Sequence, residues 1–203
     1  MKKHLILTLL LLSQLQLPAA DPFTFEAPRN WRSEQIPFPL GFAPELNYRG
    51  FEELRFGPGM FKPGSETYWT YAFFWWVEGK QSVSRAALEK DLVNYYLGLS
   101  RAVGRSKGLI IDPEKITAKL QSTSNGPTPK VIHDPTFKGL LTTYDAFATG
   151  KLLKLHVKVT EHYFKSVDRT WVWFSVSPKN PADKSSDSVW KVMAGMKHSF
   201  KLK

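Results

Sequence analysis

The sequence predicts an α+β fold built around a mostly antiparallel β-sheet, and three observations carry that expectation. The 203 residues include 7 Trp, 7 Tyr and 14 Phe, and 42% are apolar, enough greasy surface to offset the ordering entropy of one domain. Thr67–Val77 is the second observation. Side chains alternate across a strand, and here both sets are greasy: Tyr68, Thr70, Ala72, Phe74 and Trp76 on one face, Trp69, Tyr71, Phe73, Trp75 and Val77 on the other. A strand with one solvated face would alternate with polar residues, so this one is central and covered above and below. The third is a pair of helical repeats, one mid-chain and one near the C-terminus, set among extended pieces.

The elements follow in order. Residues 1–20 read as a cleaved secretory signal: Lys2 and Lys3, an apolar run from Leu5 to Leu12, then Leu17-Pro18-Ala19-Ala20. The run is shorter than the roughly 20 apolar residues of a bilayer span, and the mature chain holds no other candidate. The expected location is the periplasm or the exterior of a bacterium. Residues 21–63 form a wrapping segment rich in Pro and aromatics, chopped by Pro37, Pro39, Pro44 and Pro58 into short pieces such as Gln35–Phe42 and Gly50–Phe56. Proline lacks the amide hydrogen of a ladder, so these are edge strands or coverings. After Thr67–Val77, Ser84 is placed to cap a helix, with Val83 and Leu88 as a hydrophobic staple. Leu88, Leu92, Tyr95, Tyr96, Leu99 and Val103 make its apolar stripe, and Gly104 its stop. Strands resume at Lys115–Gln121, with Ile116, Ala118 and Leu120 facing one way. Ser122–Pro135 is a loop, followed by strands Phe137–Phe147, Leu152–Lys165 and Thr170–Ser177. Ser185–Lys197 is the last helix, with Val189, Val192, Met193 and Met196 inward.

This order of elements resembles the PsbP-like family. The ending Met193–Phe200, MAGMKHSF, is similar to that family's closing helix and Ser-Phe pair, and Trp31 with Phe38-Pro39-Leu40 is similar to its opening. The resemblance implies a single-domain α/β/α sandwich. It implies no chemistry, because that fold serves many accessory roles.

Charge is unevenly placed. Residues 21–100 carry a net −2 and residues 101–203 a net +10. For an exported chain the matching anions are lipid headgroups, cell-wall polymers or acidic partners, and nucleic acid is not expected. A turn at Thr149-Gly150 would pair Tyr144 with Leu155 and Leu140 with Val159 in the core, and Asp145 with Lys154 on the other face. A turn at Val167-Asp168 would set Tyr163 against Val172 and point Glu161 into the core opposite Phe174. The face away from that core then collects Lys154, His156, Lys158, His162, Phe164, Trp171 and Trp173. Rings stack on flat ligands while Lys and protonated His attract anions, which makes this face a candidate binding surface. The alternative is that a helix covers the rings and the lysines snorkel at its rim.

Catalytic signatures are missing. With no Cys there is no disulfide, thiolate metal site or cysteine nucleophile. His156 and His162, six apart on one strand, would stand about 20 Å apart, too far to share an ion. His133-Asp134 has no G-x-S-x-G serine beside it. Gly57-Pro58-Gly59 lacks the Lys and Ser/Thr of a phosphate loop, and no cofactor is expected. The reading is an exported, non-enzymatic protein that binds an anionic ligand or an envelope protein. The alternatives are an extracytoplasmic hydrolase with a loop-built site, or a docking subunit of an envelope complex.

Overall fold

The computed structural model describes residues 22–81, 83–123 and 136–203. The signal-like segment and the loop that holds His133 lie outside the described residues. The strands are β1 (Phe23–Thr24), β2 (Arg32–Pro37), β3 (Gly50–Phe56), β4 (Tyr71–Glu78), β5 (Thr117–Ser122), β6 (Phe137–Tyr144), β7 (Leu152–Phe164), β8 (Arg169–Ser177) and β9 (Lys201–Leu202). The helices are α1 (Arg85–Arg105) and α2 (Asp187–His198). Seven strands form one antiparallel sheet in the order β2-β3-β4-β8-β7-β6-β5, while β1 pairs with β9 in a separate clasp. Helix α1 lies on one face and α2 on the other, giving the expected α+β sandwich.

The central position of β4 follows from its sequence. Tyr71, Phe73, Trp75 and Val77 join the core under α1, and Ala72, Phe74 and Trp76 the core under α2. Trp69 precedes the strand at φ 47°, so the extended stretch starts at Tyr71 and not at Thr67. Of the two Pro-bounded pieces only β2 is an edge; β3 is hydrogen-bonded on both sides.

Helix α1 starts where the capping signal places it, with Ser84 Oγ accepting from the Ala87 amide at 3.2 Å. Gly104 does not stop it. The helix runs on to Arg105, and the left-handed turn falls at Gly108, φ 66°. Gly98 has a different duty: an added Cβ there would sit 1.9 Å from the Phe42 carbonyl oxygen, so its bare backbone lets the 41–43 loop press onto the helix. Helix α2 buries Val189, Met193 and Met196 as expected, together with Trp190.

The β6–β7 register differs from the expected one. Tyr144 pairs with Leu152, Leu141 with Leu155 and Phe137 with Val159, a shift of three residues. An odd shift turns β6 over, so Phe137 and Leu141 enter the core and Leu140 is exposed. Asp145 is the cause. Its carboxylate accepts from the Ala148 and Thr149 amides at 3.1 and 2.7 Å, which coils the chain into a longer turn than Thr149-Gly150 alone. The same carboxylate accepts from the Tyr68 hydroxyl at 2.6 Å and the Trp69 indole at 2.9 Å, so Asp145 is buried and does not meet Lys154. The β7–β8 register shifts by two residues, which keeps every face. Tyr163 meets Thr170, and Glu161 meets Val172 in place of Phe174.

Candidate functional site

The seven residues singled out from the sequence share one face of β7 and β8, and α2 divides them. Twelve residues of helix extend about 18 Å at 1.5 Å per residue. Seven strands at about 4.8 Å spacing are about 29 Å wide. One short helix cannot cover that face. It packs over β8, and the N-terminal aromatics extend the cover over β4.

The covered part takes the rings. Trp171 and Trp173 are 0% and 1% exposed, packed among Phe74, Met193, Met196 and Phe200. The two indoles therefore belong to the core, which corrects the expectation of an open aromatic surface and agrees with the alternative of a helix covering the rings. Phe164 is half-buried and stacks on Phe200 at 5.8 Å, with His162 edge-on to it at 4.6 Å. Burial lowers the His162 pKa, which keeps the imidazole neutral at neutral pH.

The uncovered part takes the charges. On the α2 side of β5, β6 and β7, three cross-strand rows stand in order: Gln121, Lys138, Lys158; then Lys119, Leu140, His156; then Thr117, Thr142, Lys154. They floor a groove of about 640 Å³ walled by Asn180, Pro181 and Ala182. Its lining holds four lysines and one histidine and no acid. Lys138 lies directly opposite Lys158, an arrangement that costs stability in a sheet. Burial, then the charge of Lys138, lowers the Lys158 pKa, while Asp187 opposes the shift. The Lys158 ammonium also sits 4.7 Å from the centre of the Trp190 ring. Burial lowers the His156 pKa against the pull of Asp183.

Lys154, His156 and Lys158 thus fall together, as strand alternation requires. Lys119 and Lys138 were missed because the sequence-based register put Lys138 on the wrong face and left β5 unpaired. Phe137, two residues before Gly139 in the FKGLLTTY stretch, was the available signal, because a core Phe137 forces Lys138 outward.

A second constellation lies under α1. Glu52 is fully buried on β3, its Oε1 accepting from the Trp75 indole at 3.2 Å while Oε2 lacks a well-formed hydrogen bond. Burial pushes its pKa up to about 8, only partly offset by Tyr95 and Trp75. Next to it the Tyr71 and Tyr96 hydroxyls bond to one another. Glu161 is half-buried on β7, with its pKa raised by burial. Glu34 is the carboxylate whose charge acts on Glu52. Among the described residues no three His, Asp or Glu side chains gather as metal ligands, and no helix is long and apolar enough to cross a membrane.

No family model matches the chain, and no curated protein does. Among solved structures the chain is similar to the Saccharomyces cerevisiae Ran-binding protein Mog1p, with a TM-score of 0.40 and 12% identity over 89% of this chain and 90% of that one. A likeness of that size carries no argument about function.

Proposed function

We propose that the protein is an exported, non-enzymatic binding protein that holds a multiply charged anion on the uncovered basic half of its sheet. The observation that carries this reading is the Lys138–Lys158 pair, directly opposed in a groove whose lining also presents Lys119, Lys154 and His156 and no acid, with Asp183 and Asp187 acting on His156 and Lys158 from beside it. Like charges held in register are costly to the free protein, and an anion bridging them removes the cost. The residues span three strands, about 10 Å, by about 14 Å along β7, so one phosphate or carboxylate cannot meet them all. The ligand is therefore extended: an anionic cell-wall polymer, a headgroup array or the acidic surface of an envelope protein. Export rests on the signal-like residues 1–20.

The test is binding to polyphosphate across a salt series. Lys154→Glu with Lys158→Glu is expected to weaken binding at least tenfold, and the wild-type affinity to fall steeply as salt screens it. Unchanged binding, or an affinity indifferent to salt, overturns the reading.

A further inference from the structure

The α1 side of the sheet holds a second cavity, far from the basic face and of opposite character. Its volume is about 290 Å³, and its wall includes the rings of Phe42, Phe56, Trp69, Tyr71, Tyr95 and Phe147 among aliphatic side chains. Protein interiors rarely leave voids larger than a water. This one is roughly twice the size of an engineered cavity of about 150 Å³ that takes up benzene. Six separate stretches of chain meet there, two of them shaped by constraints already described. Gly98 lets the loop bearing Phe42 press onto α1, and Asp145 coils the turn that presents Phe147.

The charged residues of the lining are Arg32 and Glu34, while Tyr71 and Tyr95 are buried with their hydroxyls. Ala102, small and exposed, forms part of the mouth on α1. An adjoining groove of about 430 Å³ shares Phe42 and Ala102 with the cavity and is lined by Arg101 and Arg105. Across from them, the Arg32 guanidinium lies 5.0 Å from the Phe56 ring centre and 5.2 Å from that of Phe61. Glu34 on β2 and Glu45 beside the groove are the acids at this end, so three arginines face two carboxylates. The C-terminal end of α1 disfavours an anion by its own dipole, so an anion there must be held by the exposed side chains of Arg101 and Arg105.

We propose that this cavity binds a small amphiphile, with its apolar body among the aromatic rings and a carboxylate head at Arg101 and Arg105. Apolar enclosure with a few placed polar groups is the usual build of a small-molecule site. Glu52 behind Tyr95 holds its proton at neutral pH and so does not repel the head. The site is separate from the basic face and does not depend on its function.

Titration calorimetry of the full chain with octanoate, and in parallel with octanol, tests it. One octanoate per chain is expected. Ala102→Trp, a substitution on the exposed side of a helix, is expected to block the mouth and weaken octanoate at least tenfold, with the unfolding transition unchanged. Arg101→Gln with Arg105→Gln is expected to weaken octanoate tenfold and leave octanol as it was. Lys154→Glu with Lys158→Glu is expected to leave octanoate binding intact. Failure of the wild type to bind octanoate overturns the proposal, as does retained binding in Ala102→Trp. Equal loss of octanoate and octanol in the arginine variant overturns the assignment of the head, and loss of octanoate in the lysine variant moves the binding to the other face.

Discussion

Replacing Glu52 with Gln is expected to make the protein more stable, and increasingly so as pH rises. Glu52 sits at 0% exposure between Ile36 and Trp75, and burial lifts its pKa from 4.5 to about 8. The folded state therefore keeps a proton that the unfolded state releases between those values. Stability falls with rising pH wherever the folded state binds more protons, here by about 1.4 kcal/mol per pH unit. At pH 7 the accumulated penalty is about 3 kcal/mol, a large share of the roughly 5–15 kcal/mol that holds a domain together. Gln is nearly isosteric, keeps an oxygen for the Trp75 indole and carries no titrating proton. Urea unfolding followed by tryptophan fluorescence, repeated from pH 4.5 to pH 8.5, measures the difference directly. Wild type and Glu52→Gln are expected to converge near pH 4.5 and separate steadily up to about pH 8. Glu161 and Asp91, whose pKa values burial also raises, are common to both proteins and cancel. Parallel pH profiles for the two proteins would refute the reasoning.

Two further substitutions test the packing. Asp145→Ala strands the Trp69 indole and frees the turn amides, and is expected to cost about 3 kcal/mol in denaturant unfolding. Burial alone would raise the Asp145 pKa, but hydrogen bonds from Tyr68, Thr149 and Trp69 hold it below the usual carboxylate value. Its contribution is thus complete at neutral pH and lost as acid protonates it, and an unchanged midpoint at pH 7 would refute this. Trp171→Ala with Trp173→Ala removes two fully buried indoles at about 3–5 kcal/mol each. Loss of a cooperative thermal transition is expected in circular dichroism, and a near-normal midpoint would place the rings outside the core after all.

What could be read from the sequence was local. The two-sided greasiness of Tyr71–Val77 put β4 at the centre of the sheet, and Ser84 announced α1, because alternation and capping depend on neighbours a few residues apart. Lys154, His156 and Lys158 fell on one face for the same reason. The β6 register was not legible, since Leu140 and Leu141 are adjacent and equally suited to a core, and the choice was made by the turn chemistry of Asp145. Without it Lys138 and Lys119 could not be added to the basic face. The fate of Trp171 and Trp173 depended on Phe200 and the N-terminal aromatics, far away in sequence. The aromatic cavity draws on six separate stretches, and no spacing rule reaches across them.

The clasp between β1 and β9 has a consequence for the order in which the molecule can be completed. Phe23 stacks on Phe200 at 5.2 Å, and the Lys203 amide donates to the Pro22 carbonyl at 2.9 Å. Phe74 and Trp76 at the centre of the sheet are sealed by the same late residues. A chain delivered N-terminus first, from a ribosome or through a pore, can assemble the α1 side once β8 has emerged. The α2 side must wait, with those rings bare, until residues 187–202 arrive to cover it.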